Sequence, residues 1–185
     1  MEFTYPDVGA TREMTSIPAG YKYVERRGLL GEGAAFDRGR AALREWRMFT
    51  SAGFAVRTSE PAVREGAEVR VGIGAGPARL WAPCRVVWVV DEPDRYGFGY
   101  GTLPGHPASG EEAFVVVREP DASARSERSE PRSREQDLDG KVWFEVRAFS
   151  RPATWYAKVG GPATRATQRW AAGRYLRAMR QLVTS

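Results

Sequence analysis

The chain has one cysteine, Cys84, and one histidine, His106, in 185 residues. A single cysteine permits no internal disulfide and fits a reducing compartment. The same scarcity leaves too few nitrogen and sulfur ligands for a structural zinc site, and no spaced Asp/Glu loop suggests magnesium or calcium. No metal and no cofactor is implied. No apolar run approaches the roughly 18 residues a membrane span needs, and the opening MEFTYPDVGATREM lacks the basic start and apolar block of a secretory signal. The expected location is cytoplasmic. Phosphate-binding glycine loops are missing too. Gly72-Ile73-Gly74 and Gly99-Tyr100-Gly101 each lack the third glycine of a dinucleotide fingerprint, because Pro77 and Pro104 stand there. Neither run opens a helix, and there is no Lys-Ser or Lys-Thr phosphate loop and no G-x-S-x-G elbow.

Lysine is scarce as well: of 28 basic residues 25 are Arg, dispersed among 23 acids for a net charge of +5. That make-up describes a solvated mixed-charge surface. It argues against nucleic acid as a partner, which needs a clustered basic face with stacking aromatics.

What is present points to a globular protein. Hydrophobic residues make up 42% and aromatics 11%, with six Trp, enough apolar mass to form a core. The length predicts a single domain, 1–185. Within it, residues 1–20 hold Pro6, Gly9, Pro18 and Gly20 without periodicity and read as an extended N-terminal arm. Residues 121–140, DASARSERSEPRSREQDLDG, carry one leucine, no aromatic and dense alternating charge. Such a segment buries too little to offset its ordering entropy, so it reads as a flexible charged hairpin insertion.

Alternation predicts strands at Tyr21–Leu30, Glu68–Gly74, Cys84–Val90, Tyr96–Thr102, Glu112–Arg118 and Lys141–Phe149. In the third, Cys84, Val86, Trp88 and Val90 are expected on one side. Helical spacing from Gly33 to Phe49 (Phe36, Leu43, Trp46, Phe49) predicts one helix after the first strand, with Gly53 as its stop. A long helix follows Pro162 and runs to about Leu182, with Ala171, Ala172, Tyr175, Leu176, Met179 and Leu182 on one face and Arg169, Arg174, Arg177 and Arg180 on the other. The expected fold is α+β: a curved antiparallel sheet of about six or seven strands wrapped around the C-terminal helix, a helix-grip (START-like) arrangement. It implies a cavity between sheet and helix.

The densest chemistry lies at residues 96–112, YGFGYGTLPGHPASGEE. Glycine at every second position of a strand lets a backbone or a ligand approach closely. His106 sits between two prolines in a shaped loop, and Glu111 and Glu112 follow. Adjacent strand residues face opposite ways, so one carboxylate at most can point inward. Glu112, in phase with Phe114 and Val116, is the expected inward one, and turn solvation is expected for Glu111. Arg151 ends the last strand and is suited to forked contact with a carboxylate or an anionic group.

Four blocks carry a family resemblance. They are TYPDVGAT (4–11), GEGAAFDRGRAALREWRMF (31–49), APCRVVWVVDEPDRYGFGYGTLPGHPASGEEAF (82–114) and VWFEVRAFSRPATWYAKVGGPATRATQ (142–168). Together they resemble the family of unknown function numbered nineteen-ninety. The resemblance spans nearly the whole chain except 121–140 and implies no activity, cofactor or catalytic residue.

Three functions are therefore open. The leading expectation is a domain that binds a small apolar or amphipathic molecule, with Trp88, Phe144, Tyr175 and Met179 as walls and Tyr100, Thr102 and Gln168 as polar contacts. These residues could equally fill a packed core. The alternative is an enzyme of cyclase or dehydratase type in which His106 moves a proton, Glu112 partners it and Arg151 holds an oxyanion. The third is an interaction or nucleic-acid module using the arginines of the last helix beside Trp170. The oligomeric state is not readable from the sequence.

Overall fold

The computed structural model describes residues 2–13, 17–74, 76–120, 140–153 and 161–184, with the backbone alone over 161–169. The insertion expected at 121–140 thus lies outside the described residues apart from Gly140.

The chain forms β1 (Lys22–Glu32), α1 (Ala35–Arg44), α2 (Arg47–Ser51), β2 (Ala55–Thr58), β3 (Glu68–Ile73), β4 (Leu80–Asp91), β5 (Arg95–Thr102), β6 (Ala108–Glu119), β7 (Lys141–Pro152) and α3 (Gly161–Thr184). The strands make one seven-stranded sheet in the order β1-β7-β6-β5-β4-β3-β2, antiparallel at every neighbouring pair. Strands β2 to β7 form a meander, and β1 closes it by pairing with β7. All three helices lie on one face, and α3 packs along it as the helix-grip reading requires.

The helix expected over Gly33–Phe49 is broken. Trp46 adopts φ 61° and ψ 8° between α1 and α2, a left-handed conformation that costs a bulky residue on the order of 1 kcal/mol or more. Burial of its indole compensates: Trp46 is 3% exposed, with ring centroids 5.5 Å from Phe98 and 6.1 Å from Phe49. Gly53 takes a positive φ of 80° just past α2, as expected of the stop. β2 is a four-residue strand that alternation did not single out.

The inner face carries the main core. Phe98 and Tyr100 of β5, Phe114 and Val116 of β6, and Val142, Phe144 and Val146 of β7 pack against Phe36 and Leu43 of α1, Phe49 of α2, and Tyr175 and Met179 of α3. Fully burying one such side chain contributes roughly 1.5–3 kcal/mol. Phe114 is the hub, with ring centroids 5.1 Å from Tyr175, 5.4 Å from Phe49 and 5.5 Å from Phe98.

The outer face has a second, smaller layer of Trp88, Val90, Ala113 and Val115. A register shift between Val86 and Trp88 sends the second half of β4 to this side, because one extra residue inverts the alternation. Cys84 and Val86 therefore face the helices while Trp88 and Val90 do not, which corrects the expectation that all four share a face. Residues 2–13 cross this outer layer in bends and turns and form a packed strap. The alternate glycines of β5 make room for it. A Cβ on Gly101 would stand 2.7 Å from the ring of Tyr5, and one on Gly99 would stand 2.6 Å from Cε2 of Trp88.

Candidate functional site

Strand alternation at β6 decides where the chemistry goes. Glu112 pairs with Tyr100 and Ala148 in the sheet and faces inward with Phe114, as expected. The Tyr100 hydroxyl donates to Glu112 Oε2 at 2.9 Å. Among the described residues that is the one hydrogen bond the carboxylate accepts, and Glu112 keeps partial accessibility where its neighbours Tyr100 and Tyr175 are buried. Burial, opposed by the Tyr100 hydrogen bond, pushes its pKa up to about 7. Tyr100 and Tyr175 are themselves held well above the usual phenol range, first by burial and then by the Glu112 charge. Burial raises the Cys84 thiol as well, which leaves it an inert core residue. The inner face thus holds one carboxyl that can change protonation near neutrality, flanked by two neutral phenols and walled by aromatic rings.

The other two members of the expected catalytic group are elsewhere. His106 is half-buried in its own loop, where Nδ1 accepts the Ala108 N–H at 2.9 Å and the His106 N–H donates to Leu103 O at 3.1 Å. Burial lowers its pKa to about 4, so the ring is neutral at physiological pH. Four residues of strand separate Ala108 from Glu112, ~13 Å at the usual rise. Arg151 pairs with Ser109, which faces away from Glu112, and its guanidinium lies 4.8 Å from the centre of the Tyr21 ring. His106, Glu112 and Arg151 are not brought together, because the sheet lies between Glu112 and Arg151.

The expected ligand contacts divide in the same way. Phe144, Tyr175 and Met179 lie on the inner face, 1%, 4% and 0% exposed, packed in the aromatic core. Tyr100 joins them. Trp88 does not: it belongs to the outer layer, and its Nε1 donates to Thr11 Oγ1 at 3.1 Å. The Thr102 hydroxyl is occupied by Thr4 Oγ1 at 2.6 Å and by the Gly110 N–H at 3.0 Å, so it serves the strap. The Gln168 side chain lies outside the described residues.

Sequence reasoning missed the role of Glu111. It is 2% exposed and accepts the Tyr5 hydroxyl at 2.7 Å, the Gly9 N–H at 2.7 Å and the Thr11 N–H at 2.9 Å, together with the Thr11 hydroxyl. Four donors on one buried carboxylate make it the anchor of the strap. The polar residues that supply them stand about a hundred positions away, and no local pattern links the two.

Among the described residues no group of three or more His, Cys, Asp or Glu is placed to hold a metal ion, and no helix is long and apolar enough to cross a membrane.

The family described as Domain of unknown function (DUF1990) matches residues 4–178. The chain belongs to that family. A UPF0548 protein of Deinococcus radiodurans is 38% identical over 161 residues, covering 80% of this chain and 71% of that protein. UPF0548 protein At2g17695 of Arabidopsis thaliana is 27% identical over 157 residues, covering 81% of this chain and 67% of that protein. Among solved structures, hypothetical protein jhp0584 from Helicobacter pylori aligns with a TM-score of 0.58 at 8% identity over 97% of this chain and 94% of that one. Ara h 8.0201 aligns with a TM-score of 0.54 at 11% identity over 89% and 99%. At such identities these structures show the fold alone, and the fold is helix-grip. The family is uncharacterised, and its architecture is compatible with ligand binding.

Proposed function

We propose that this member of the family binds a small apolar or amphipathic molecule between the inner face of the sheet and α3, with Glu112 and Tyr100 at its polar end and Phe144, Tyr175 and Met179 as apolar walls. The observation that carries the reading is Glu112 itself. A carboxyl at the edge of an aromatic layer, with a single hydrogen bond among the described residues and still partly accessible, keeps acceptor capacity for a ligand. Sites of this kind pair apolar walls with a few convergent polar groups. Native mass spectrometry of the purified protein tests it. The expected result is a retained small molecule, or stoichiometric uptake of anilinonaphthalene sulfonate, and loss of either in Ala148→Trp, which sets an indole beside Glu112 on the neighbouring strand. Absence of both in the folded wild-type protein contradicts the reading.

A second reading is favoured by the position of the Glu112 pKa near 7, where a carboxyl serves as either acid or base at neutral pH. On that reading the domain is an enzyme of cyclase or dehydratase type that works through Glu112 with Tyr100, without His106 or Arg151. Glu112→Gln would then retain the bound molecule unchanged, whereas the wild type would convert it.

A further inference from the structure

An open groove of about 530 Å³ runs between edge strand β1 and helix α3, and it shares no lining residue with the inner-face site. Arg26 and Arg27 of β1 line one side, and Trp170, Leu176, Arg177 and Arg180 of α3 line the other. Gly173 lies at the crossing, where a Cβ would stand 2.9 Å from the Arg26 guanidinium, so the glycine leaves room for that side chain.

Among the described residues the charge in this groove is not balanced from within. No Asp or Glu follows Glu145 in the sequence, so α3 has arginines and no carboxylate of its own. Arg27 is neutralised by Glu119 and Glu145. Arg180 is held through its Nε on Leu29 O at 3.1 Å, and among the described residues it has no carboxylate partner. Among the described residues neither Arg26 nor Arg177 has a carboxylate partner. Four arginines elsewhere do have one: Arg40 with Asp91, Arg64 with Glu60, Arg85 with Glu68 and Arg147 with Glu25. Beside these cations Trp170 is 47% exposed. Arg174, expected on the exposed arginine face, turns inward instead. Its Nε donates to Ala52 O at 2.6 Å, and its guanidinium lies 4.9 Å from the centre of the Trp170 ring, which braces the indole in place.

We propose that the β1–α3 groove is a binding site for a small organic phosphate, with Arg26, Arg177 and Arg180 taking the dianion and Trp170 receiving a planar apolar body. Guanidinium forks match phosphate oxygens in geometry and charge, and an exposed indole offers an aromatic face for stacking. The concave shape favours a small molecule over a duplex or a lipid surface. Arginines along an edge strand also discourage strand addition, but that role needs neither the braced indole nor the groove.

The test follows the indole N–H resonance of Trp170, assigned with Trp170→Phe, and calorimetry at low salt, with adenosine monophosphate, adenosine and inorganic phosphate as probes. Saturable binding of adenosine monophosphate is expected, with adenosine silent and inorganic phosphate weaker. Arg26→Ala/Arg177→Ala should weaken the nucleotide at least about tenfold, and added salt should weaken it steeply. Trp170→Ala should weaken the nucleotide and leave inorganic phosphate unchanged. All these positions are on the surface, and an unchanged melting temperature confirms that each variant is folded. No saturable binding up to ~10 mM (a free energy of only about 3 kcal/mol) overturns the proposal. So does binding that the double arginine variant leaves intact, or binding of a mixed oligonucleotide or anionic vesicles without binding of the nucleotide.

Discussion

The two faces of the sheet treat neighbouring carboxylates in opposite ways. On the outer face Glu111 is sealed under the strap and saturated by four donors from Tyr5, Gly9 and Thr11. On the inner face Glu112, one residue along the same strand, has one phenol as its partner among the described residues and retains accessible surface. A carboxylate with every acceptor site filled is a structural fastener. One with unfilled acceptor sites in an aromatic surrounding is poised for a ligand or a proton. The strand pleat alone separates these two fates.

The largest effect is expected at Glu111. Replacing it with Ala strands the Gly9 and Thr11 N–H groups and the Tyr5 hydroxyl, at a cost of roughly 3–5 kcal/mol. Urea unfolding should show that loss, and the amides of Gly9 and Thr11 should lose exchange protection ahead of the core strands.

Next come two pH effects of opposite sign. Glu112 has a folded pKa of about 7, above its ordinary value, so the native state binds its proton more tightly. Stability is then full in acid and falls as pH rises from about 4.5 to 7, by on the order of 2–3 kcal/mol. Glu112→Gln should abolish that slope and gain stability above pH 7. His106 is depressed to about 4, so its contribution is present above pH 6.5 and is lost as pH falls toward 4. His106→Gln should remove that loss alone. Melting temperatures of the two variants across pH 4–8 check both directions.

A smaller effect is expected from Gly101→Ala, whose Cβ would meet the Tyr5 ring at 2.7 Å. Overpacking of this kind costs about 1–3 kcal/mol, and exchange at the strap amides should locate the damage on the outer face. The smallest effect belongs to Trp88→Phe. It forfeits the Nε1 bond to Thr11, about 1 kcal/mol, and ligand uptake at the inner face should be untouched because Trp88 lies on the other side.

All the strands but β2, the long last helix and the inward direction of Glu112 were legible because each follows from a period in the sequence. Residues such as Phe114, Val116 and Glu112 repeat every second position, and the core accepts that phase without interruption. The side of Trp88 was not legible, since the β4 bulge inverts the phase through a register set by β5 rather than by any turn residue. The break at Trp46 is likewise imposed by the pocket between Phe49 and Phe98. Glu111 read as a solvated turn residue because its partners, Tyr5, Gly9 and Thr11, are remote in sequence. The separation of Glu112 from Arg151 needed the pairing of Ser109 with Arg151, a fact of register that composition does not carry.

The most direct measurement is the titration of the Glu112 side-chain carboxyl by carbon-13 NMR in the ligand-free protein and with anilinonaphthalene sulfonate bound, assigned with Glu112→Gln. The expected midpoint is near 7, and it should move when the probe binds beside the carboxyl. A midpoint in the ordinary range near 4.3, or one that does not respond to bound probe, would contradict the assignment of Glu112 to the binding site.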